Sequence, residues 1–147
     1  MILERLGKEL LFLDGGMGTL LQAEGLKPGE LPETWNIKKK EKIIDIHRAY
    51  FEAGSDIVLA NTFGANILKF SDNTYTLEEV IHAAIENVRE AAKRRSTEKR
   101  EYYVALDVGP TGKLLKPAGD LSFEEAYDAF AQTMRIGVKA GADLVYI

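Results

Sequence analysis

Two stretches, EAGSDIV at residues 52–58 and KAGADLV at 139–145, constrain the fold more than any other feature of this chain. In each, alanine and glycine close an apolar-periodic segment, and an aspartate leads straight into β formers. A helix that hands over to a strand twice in the same way marks repeated βα units. Short apolar runs at 10–13, 56–60, 102–106 and 144–147 recur at intervals of some 40 to 47 residues. Each run is nearly continuous in apolar residues, which predicts strands buried on both faces of a parallel sheet. Right-handed crossovers then leave two architectures, an open doubly wound sheet or a closed barrel.

The connecting helices carry clear start signals. Thr76-Leu77-Glu78-Glu79 and Ser122-Phe123-Glu124-Glu125 fit the capping box, in which a hydroxyl and a carboxylate three residues apart satisfy the first free amides. The helical period then predicts inward faces formed by Leu77, Ile81, Ala84, Val88 and Ala91, and by Phe123, Tyr127, Phe130, Met134 and Val138. An earlier helix is predicted from about 40 to 53, with Ile43, Ile46, Tyr50 and Phe51 inward and a stop at Gly54. His47 shares that face and is expected to be packed and hydrogen-bonded; His82, among Glu78, Glu86 and Arg89, is expected to be solvated.

A barrel of βα units needs eight of them and about 250 residues. These 147 residues hold four strand runs and stop inside the fourth. A bare buried strand leaves an open edge, so the chain is expected to be a piece of a longer protein. The formal charge of -4 offers no electrostatic reason for a nucleic-acid or anionic-membrane surface. No apolar run reaches the ~18 residues of a membrane span, and Glu4 and Lys8 interrupt any signal-peptide core, which leads to a cytoplasmic expectation. With no cysteine, disulfides and thiolate metal sites within the chain are excluded.

Ligands of parallel βα folds bind at the carboxyl ends of strands. That rule selects Asp14-Gly15-Gly16-Met17-Gly18-Thr19, Asn61-Thr62-Phe63-Gly64-Ala65 and Asp107-Val108-Gly109-Pro110-Thr111-Gly112 as one rim. Phosphate motifs fail there: Leu21 stands where a dinucleotide fingerprint needs its third glycine, and Gly109 to Lys113 has two residues between glycines instead of four. An unrelated nucleotide binder is therefore disfavoured. A carboxylate at a strand mouth repels an anion and attracts an ammonium group, and with a helix start beyond it can hold a zwitterion. Spacing alone leaves Asp14 open between that role and helix capping, and Asn61 and Thr62 open between ligand contacts and turn formers.

LFLDGGMGTLLQ, AGSDIVLANTFGAN and DVGPTGKLLKP, in this order and spacing, resemble the homocysteine S-methyltransferase family, and most closely the N-terminal homocysteine-binding module of its cobalamin-dependent methionine synthases. The resemblance covers essentially the whole chain. It implies the N-terminal half of a (β/α)8 TIM barrel over 1–147, ending in or just after the fourth strand. It also implies that Asp14, Gly15, Asn61 and Thr62 contribute to binding the amino-acid end of homocysteine, with no catalytic or metal-binding residue in this chain. Zinc, held in the family by cysteines after the sixth and eighth strands, activates the substrate sulfur there, and methylcobalamin donates the methyl group. None of those cysteines is present, so zinc and cobalamin belong to the expected parent and the chain alone is expected to be inactive. Ala60 stands where some relatives carry threonine, and the family's glutamate after the fourth strand lies beyond Ile147. The half barrel is expected to form homo-oligomers or to pair with its missing half. A non-catalytic half-barrel domain that folds and self-associates is the alternative.

Overall fold

The computed structural model describes residues 1–96 and 101–147. Helices and strands alternate. Short helices α1 (Ile2–Arg5), α2 (Gly18–Ala23) and α3 (Trp35–Lys38), the last entered through a 3-10 turn at Pro32–Thr34, precede α4 (Lys40–Ala53) and β1 (Ile57–Leu59). Then come α5 (Ile67–Phe70), α6 (Leu77–Arg94), β2 (Tyr103–Asp107), α7 (Phe123–Ala140) and β3 (Leu144–Tyr146). The strands lie parallel in the order β1-β2-β3, with Ile57 beside Tyr103 and Ala105 beside Leu144.

The two AGxD junctions fold alike. Gly54 and Gly141 take left-handed conformations, φ 107° and 95°, and end their helices. The aspartate that follows then accepts a backbone amide from the neighbouring strand segment: Asp56 from Phe12 at 3.0 Å, Asp143 from Val104 at 2.7 Å. Each also meets an arginine, Arg5 at 3.4 Å and Arg89 at 3.1 Å. The repeat thus encodes the strand-to-strand lock, not merely the helix stop.

Side chains alternate across the sheet as the two-residue strand period requires. Val58, Val104 and Leu106 point into one cluster with Ile44 and Phe51 of α4 and the apolar face of α6, against which Phe130 and Ile136 of α7 pack. Ile57, Tyr103 and Ala105 face the other way, where they meet Ile2 of α1. The three long helices therefore share one face, and the strands follow chain order. The parallel α/β class expected from the sequence is thus present as a three-stranded sheet.

Capping boxes form at Thr76 with Glu79 and at Ser122 with Glu125, as expected. The predicted inward residues of α6 are buried throughout. Four expectations need correction. Residues 10–13 form no full strand: they run parallel to β1 through the single bridge Leu13 to Ile57, with the Phe12 carbonyl accepting the amides of Asp56 and Ile57. Leu10 is 83% and Phe12 58% exposed, because this edge is paired on one side only. At the other edge, β3 is half-buried rather than buried, and Tyr146 is exposed.

The face of α7 is also rotated from the expected one. Ala126, Ala129, Thr133 and Gly137 face inward, while Phe123, Tyr127 and Val138 are exposed. Small residues let this helix approach the sheet closely; a Cβ on Gly137 would lie 2.5 Å from Leu106 Cδ2. Apolar periodicity marked the larger stripe and missed the smaller one that packs.

His47 is fully buried, but neither ring nitrogen meets a hydrogen-bond partner among the described residues, contrary to expectation. Burial pushes its pKa down to about 3. The unfolded chain takes up this proton near pH 6.5, while the folded chain resists until about 3. Stability from this site is therefore present above 6.5 and falls by about 1.4 kcal/mol per pH unit below it, up to roughly 5 kcal/mol near pH 3. Denaturant melts of the chain and of His47→Leu between pH 7 and 4 should diverge by that slope; parallel profiles would contradict the assignment.

Candidate functional site

Three strand ends meet around one cavity of about 460 Å³, with Asp14, Gly15, Glu33, Asn61, Phe63 and Asp107 in its wall. Asp14 follows the edge segment, and its amide donates to the Ile57 carbonyl at 3.0 Å. Its carboxylate does not cap α2, whose N-terminus at Met17 has no side-chain cap. Instead both oxygens accept from the Leu59 amide at 3.1 Å. Of the two roles that spacing left open, capping is not the one adopted.

The charge at this cavity is one-sided. Burial pushes the Asp14 carboxyl up to about 7, the Leu59 amide opposing the rise and Asp107 adding to it. Burial likewise pushes Asp107 to about 6, and nearby Glu33 adds to that. Glu33 is itself raised by burial. Once ionised, the three acids in this wall make the cavity negative, so that it favours a cation and disfavours an anion.

The glycine loop is braced from behind. Tyr50 Oη donates to the Gly16 carbonyl at 3.0 Å, and a Cβ on Gly15 would come within 3.0 Å of that same oxygen. The missing side chain at Gly15 thus admits Tyr50. Neither the Gly15 nor the Gly16 amide makes a backbone bond among the described residues.

Asn61 and Thr62 are buried and have structural partners. Asn61 Nδ2 donates to the Pro32 carbonyl and to Asn36 Oδ1, both at 3.0 Å, tying the end of β1 to the 3-10 turn. Thr62 Oγ1 donates to the Asp107 carbonyl at 2.9 Å and accepts the Asp107 amide at 3.0 Å. That latch fixes the end of β2 and with it the Asp107 carboxyl group. Asp14, Gly15 and Asn61 come together in the cavity wall; Thr62 stands behind it.

Glu33 and Tyr50 escaped the sequence reading. Glu33 follows Pro32 in what reads as an ordinary helix-entry turn, and Tyr50 reads as part of an apolar helix face. The third stretch of the rim contributes only Asp107: Thr111 Oγ1 is engaged with Lys113 of its own turn, accepting its amide and donating to its carbonyl. Zinc of the thiolate type does not fit this donor set, because the chain has no cysteine and no group of three or more His, Cys, Asp or Glu among the described residues is arranged to hold a metal. Among those residues no helix is long and apolar enough to cross a membrane.

Residues 11–147 match the family model described as homocysteine S-methyltransferase. Methionine synthases from Mycobacterium leprae and Mycobacterium tuberculosis are each 30% identical over 99% of this chain, and the chain spans 13% of the length of these curated relatives. Among solved structures, the metallated form of the homocysteine methyltransferase MmuM from Escherichia coli superposes with a TM-score of 0.80 at 22% identity, over 97% of this chain and 55% of that one. Its oxidized form gives 0.77 at 24% identity, over 95% and 53%.

Proposed function

This chain belongs to the homocysteine S-methyltransferase family, and on that premise we propose that it supplies the amino-acid end of a homocysteine site within the first half of a (β/α)8 barrel. The observation that carries this reading is the acidic cavity at the strand mouths, with Asp14 beside glycine amides that have no backbone partner among the described residues. The ammonium group of the substrate lies against Asp14, and its carboxylate is met by the amides of Gly15 and Gly16. Asn61 forms part of the wall, and Thr62 acts through Asp107 as a positioning residue. Burial makes the ammonium contact stronger than it would be in water.

The sulfur end is not served by this chain. Zinc activation needs thiolate ligands from outside these 147 residues, and the methyl donor, cobalamin in the parent enzyme, likewise lies elsewhere. The chain alone then recognises an amino-acid end and is indifferent to the sulfur. Calorimetric titration should give similar affinities for homocysteine and methionine, unchanged by added zinc, and much weaker binding of 4-sulfanylbutanoate, which lacks the amine. Tighter homocysteine binding with stoichiometric zinc uptake, or methyl transfer by the chain alone, would overturn this reading.

The two sheet edges support a further part of it. Leu10 and Phe12 at one edge, Tyr146 at the other, and Phe123, Tyr127 and Val138 on α7 expose large apolar side chains. Such edges and faces favour association. The chain should therefore sediment as a dimer or larger species at micromolar concentration, or pair with the second half of the barrel when that is supplied; a stable monomer in both conditions would contradict this.

A further inference from the structure

Helix closure at the first AGxD junction does not require the side chain of Tyr50. Both junctions close through the carbonyl four places before the glycine: Tyr50 accepts the Ser55 amide at 3.1 Å, and Gly137 accepts the Ala142 amide at 3.0 Å. Only the backbone is used. The second repeat meets the need with glycine, whereas the first carries a phenol at the same place.

That phenol reaches the glycine loop. Tyr50 is half-buried, and its Oη donates to the Gly16 carbonyl at 3.0 Å. A Cβ on Gly15 would come within 3.0 Å of the same oxygen. Asp14 and Gly15 border two cavities, the one of about 460 Å³ at the strand mouths and another of about 660 Å³ whose wall includes Phe12, Tyr50 and Phe51. The loop is therefore a thin partition, and consecutive glycines give its backbone the widest conformational range. Asp14 is tied to β1 through its amide and its carboxylate. Beyond it, neither the Gly15 nor the Gly16 amide makes a backbone bond among the described residues, which leaves the phenol as the tie that fixes the Gly16 peptide. Its support is firm, because Ile43, Ile44 and Phe51 bury α4 against the rest of the fold. Burial and the Asp14 charge both raise the pKa of the hydroxyl, so it stays a neutral donor.

We propose that Tyr50 is a positioning residue for the carboxylate end of the substrate: by holding the Gly16 carbonyl from α4 it sets the direction of the Gly15 and Gly16 amides, and so selects amino acids over amines that lack the carboxylate. This rests on the reading of the cavity as an amino-acid site. Tyr50 acts through the loop and leaves the ammonium contact with Asp14 untouched.

Tyr50→Phe keeps the ring and removes only the hydroxyl. Calorimetric titration of the chain and this variant at pH 7.5 compares homocysteine with 3-aminopropane-1-thiol, which is homocysteine without its carboxylate. Homocysteine affinity should fall about three- to tenfold, the net contribution of one hydrogen bond, and that of the carboxylate-free amine should be unchanged. Thermal melting checks that the fold is kept. Gly15→Ala is a second probe, since its Cβ displaces the hydroxyl: it should give the same selective loss, and a smaller further loss in a chain that already carries Tyr50→Phe. Equal losses for both ligands, or no loss for homocysteine, would overturn the proposal and leave Tyr50 as a packing residue of α4. If the unmodified chain bound the two ligands equally, the amino-acid reading would fail first and this proposal with it.

Discussion

Asp14→Asn is expected to weaken homocysteine binding about a hundredfold while making the free chain more stable above pH 7. Loss of affinity follows from removing the charged partner of a partly buried ammonium, a contact of about 2–3 kcal/mol. The gain in stability follows from the sign of the Asp14 shift. Its folded pKa, about 7, lies above the ordinary 3.8, so its contribution is fully present below about 3.8 and is lost as pH rises through 7. Asparagine escapes that loss and still offers an oxygen to the Leu59 amide. With allowance for solvent screening the difference at pH 8 is about 1–2 kcal/mol. In the unmodified chain the same group makes binding pH-dependent: affinity should rise from pH 5.5 to 8 as Asp14 and Asp107 ionise. Melting curves and titrations across that range check both effects; a variant that is less stable and binds normally would contradict them.

Asn36→Leu is expected to be the most damaging polar substitution in the fold. Asn36 is fully buried, with Nδ2 donating to the Asn61 carbonyl at 2.8 Å and Oδ1 accepting from Asn61 Nδ2 at 3.0 Å. Its own carbonyl accepts from Asn87 Nδ2 at 2.9 Å, linking α3 to α6. Leucine fills the volume but leaves the Asn61 carbonyl without this donor and removes one acceptor from its side chain. Stranded buried polar groups of this kind cost about 2–4 kcal/mol, equivalent to roughly 6–12 °C in Tm for a domain of this size. Because Asn61 itself stands in the cavity wall, ligand affinity should fall as well. A variant melting within 2 °C of the parent would show that this network carries little, with ~2 °C being less than the shift from one kcal/mol.

Much of the architecture was legible because the chain repeats its own solution. Gly54 and Gly141 had to end helices, and the aspartates after them had to enter strands. The predicted helix from about 40 to 53 and the two capping boxes match α4, α6 and α7. What could not be read locally was the sheet edge: Leu10 and Phe12 are as apolar as Val104 and Leu106, and only the number of paired neighbours makes the first two exposed. For the same reason α7 misled, since its packing stripe is built of alanine, threonine and glycine, residues that carry little hydrophobic signal.

The site was legible in part. Asp14 and the Asn61-Thr62 corner lie at strand ends, where the general rule for parallel folds directs attention. Glu33 does not. It reaches the cavity from a turn before α3, through a tertiary bond from Asn61 to the Pro32 carbonyl that no local pattern encodes.

The most direct test of the account is to follow backbone amide resonances of the chain during titration with homocysteine. The Leu59 amide donates to the Asp14 carboxylate and the Gly64 amide to Glu33. The Leu59 resonance, with that of Gly15, should shift and saturate at one ligand per cavity, while 4-sulfanylbutanoate leaves Leu59 in place. Saturating homocysteine with no movement at Leu59, or equal movement with the amine-free acid, would contradict an ammonium held at the mouth of these strands.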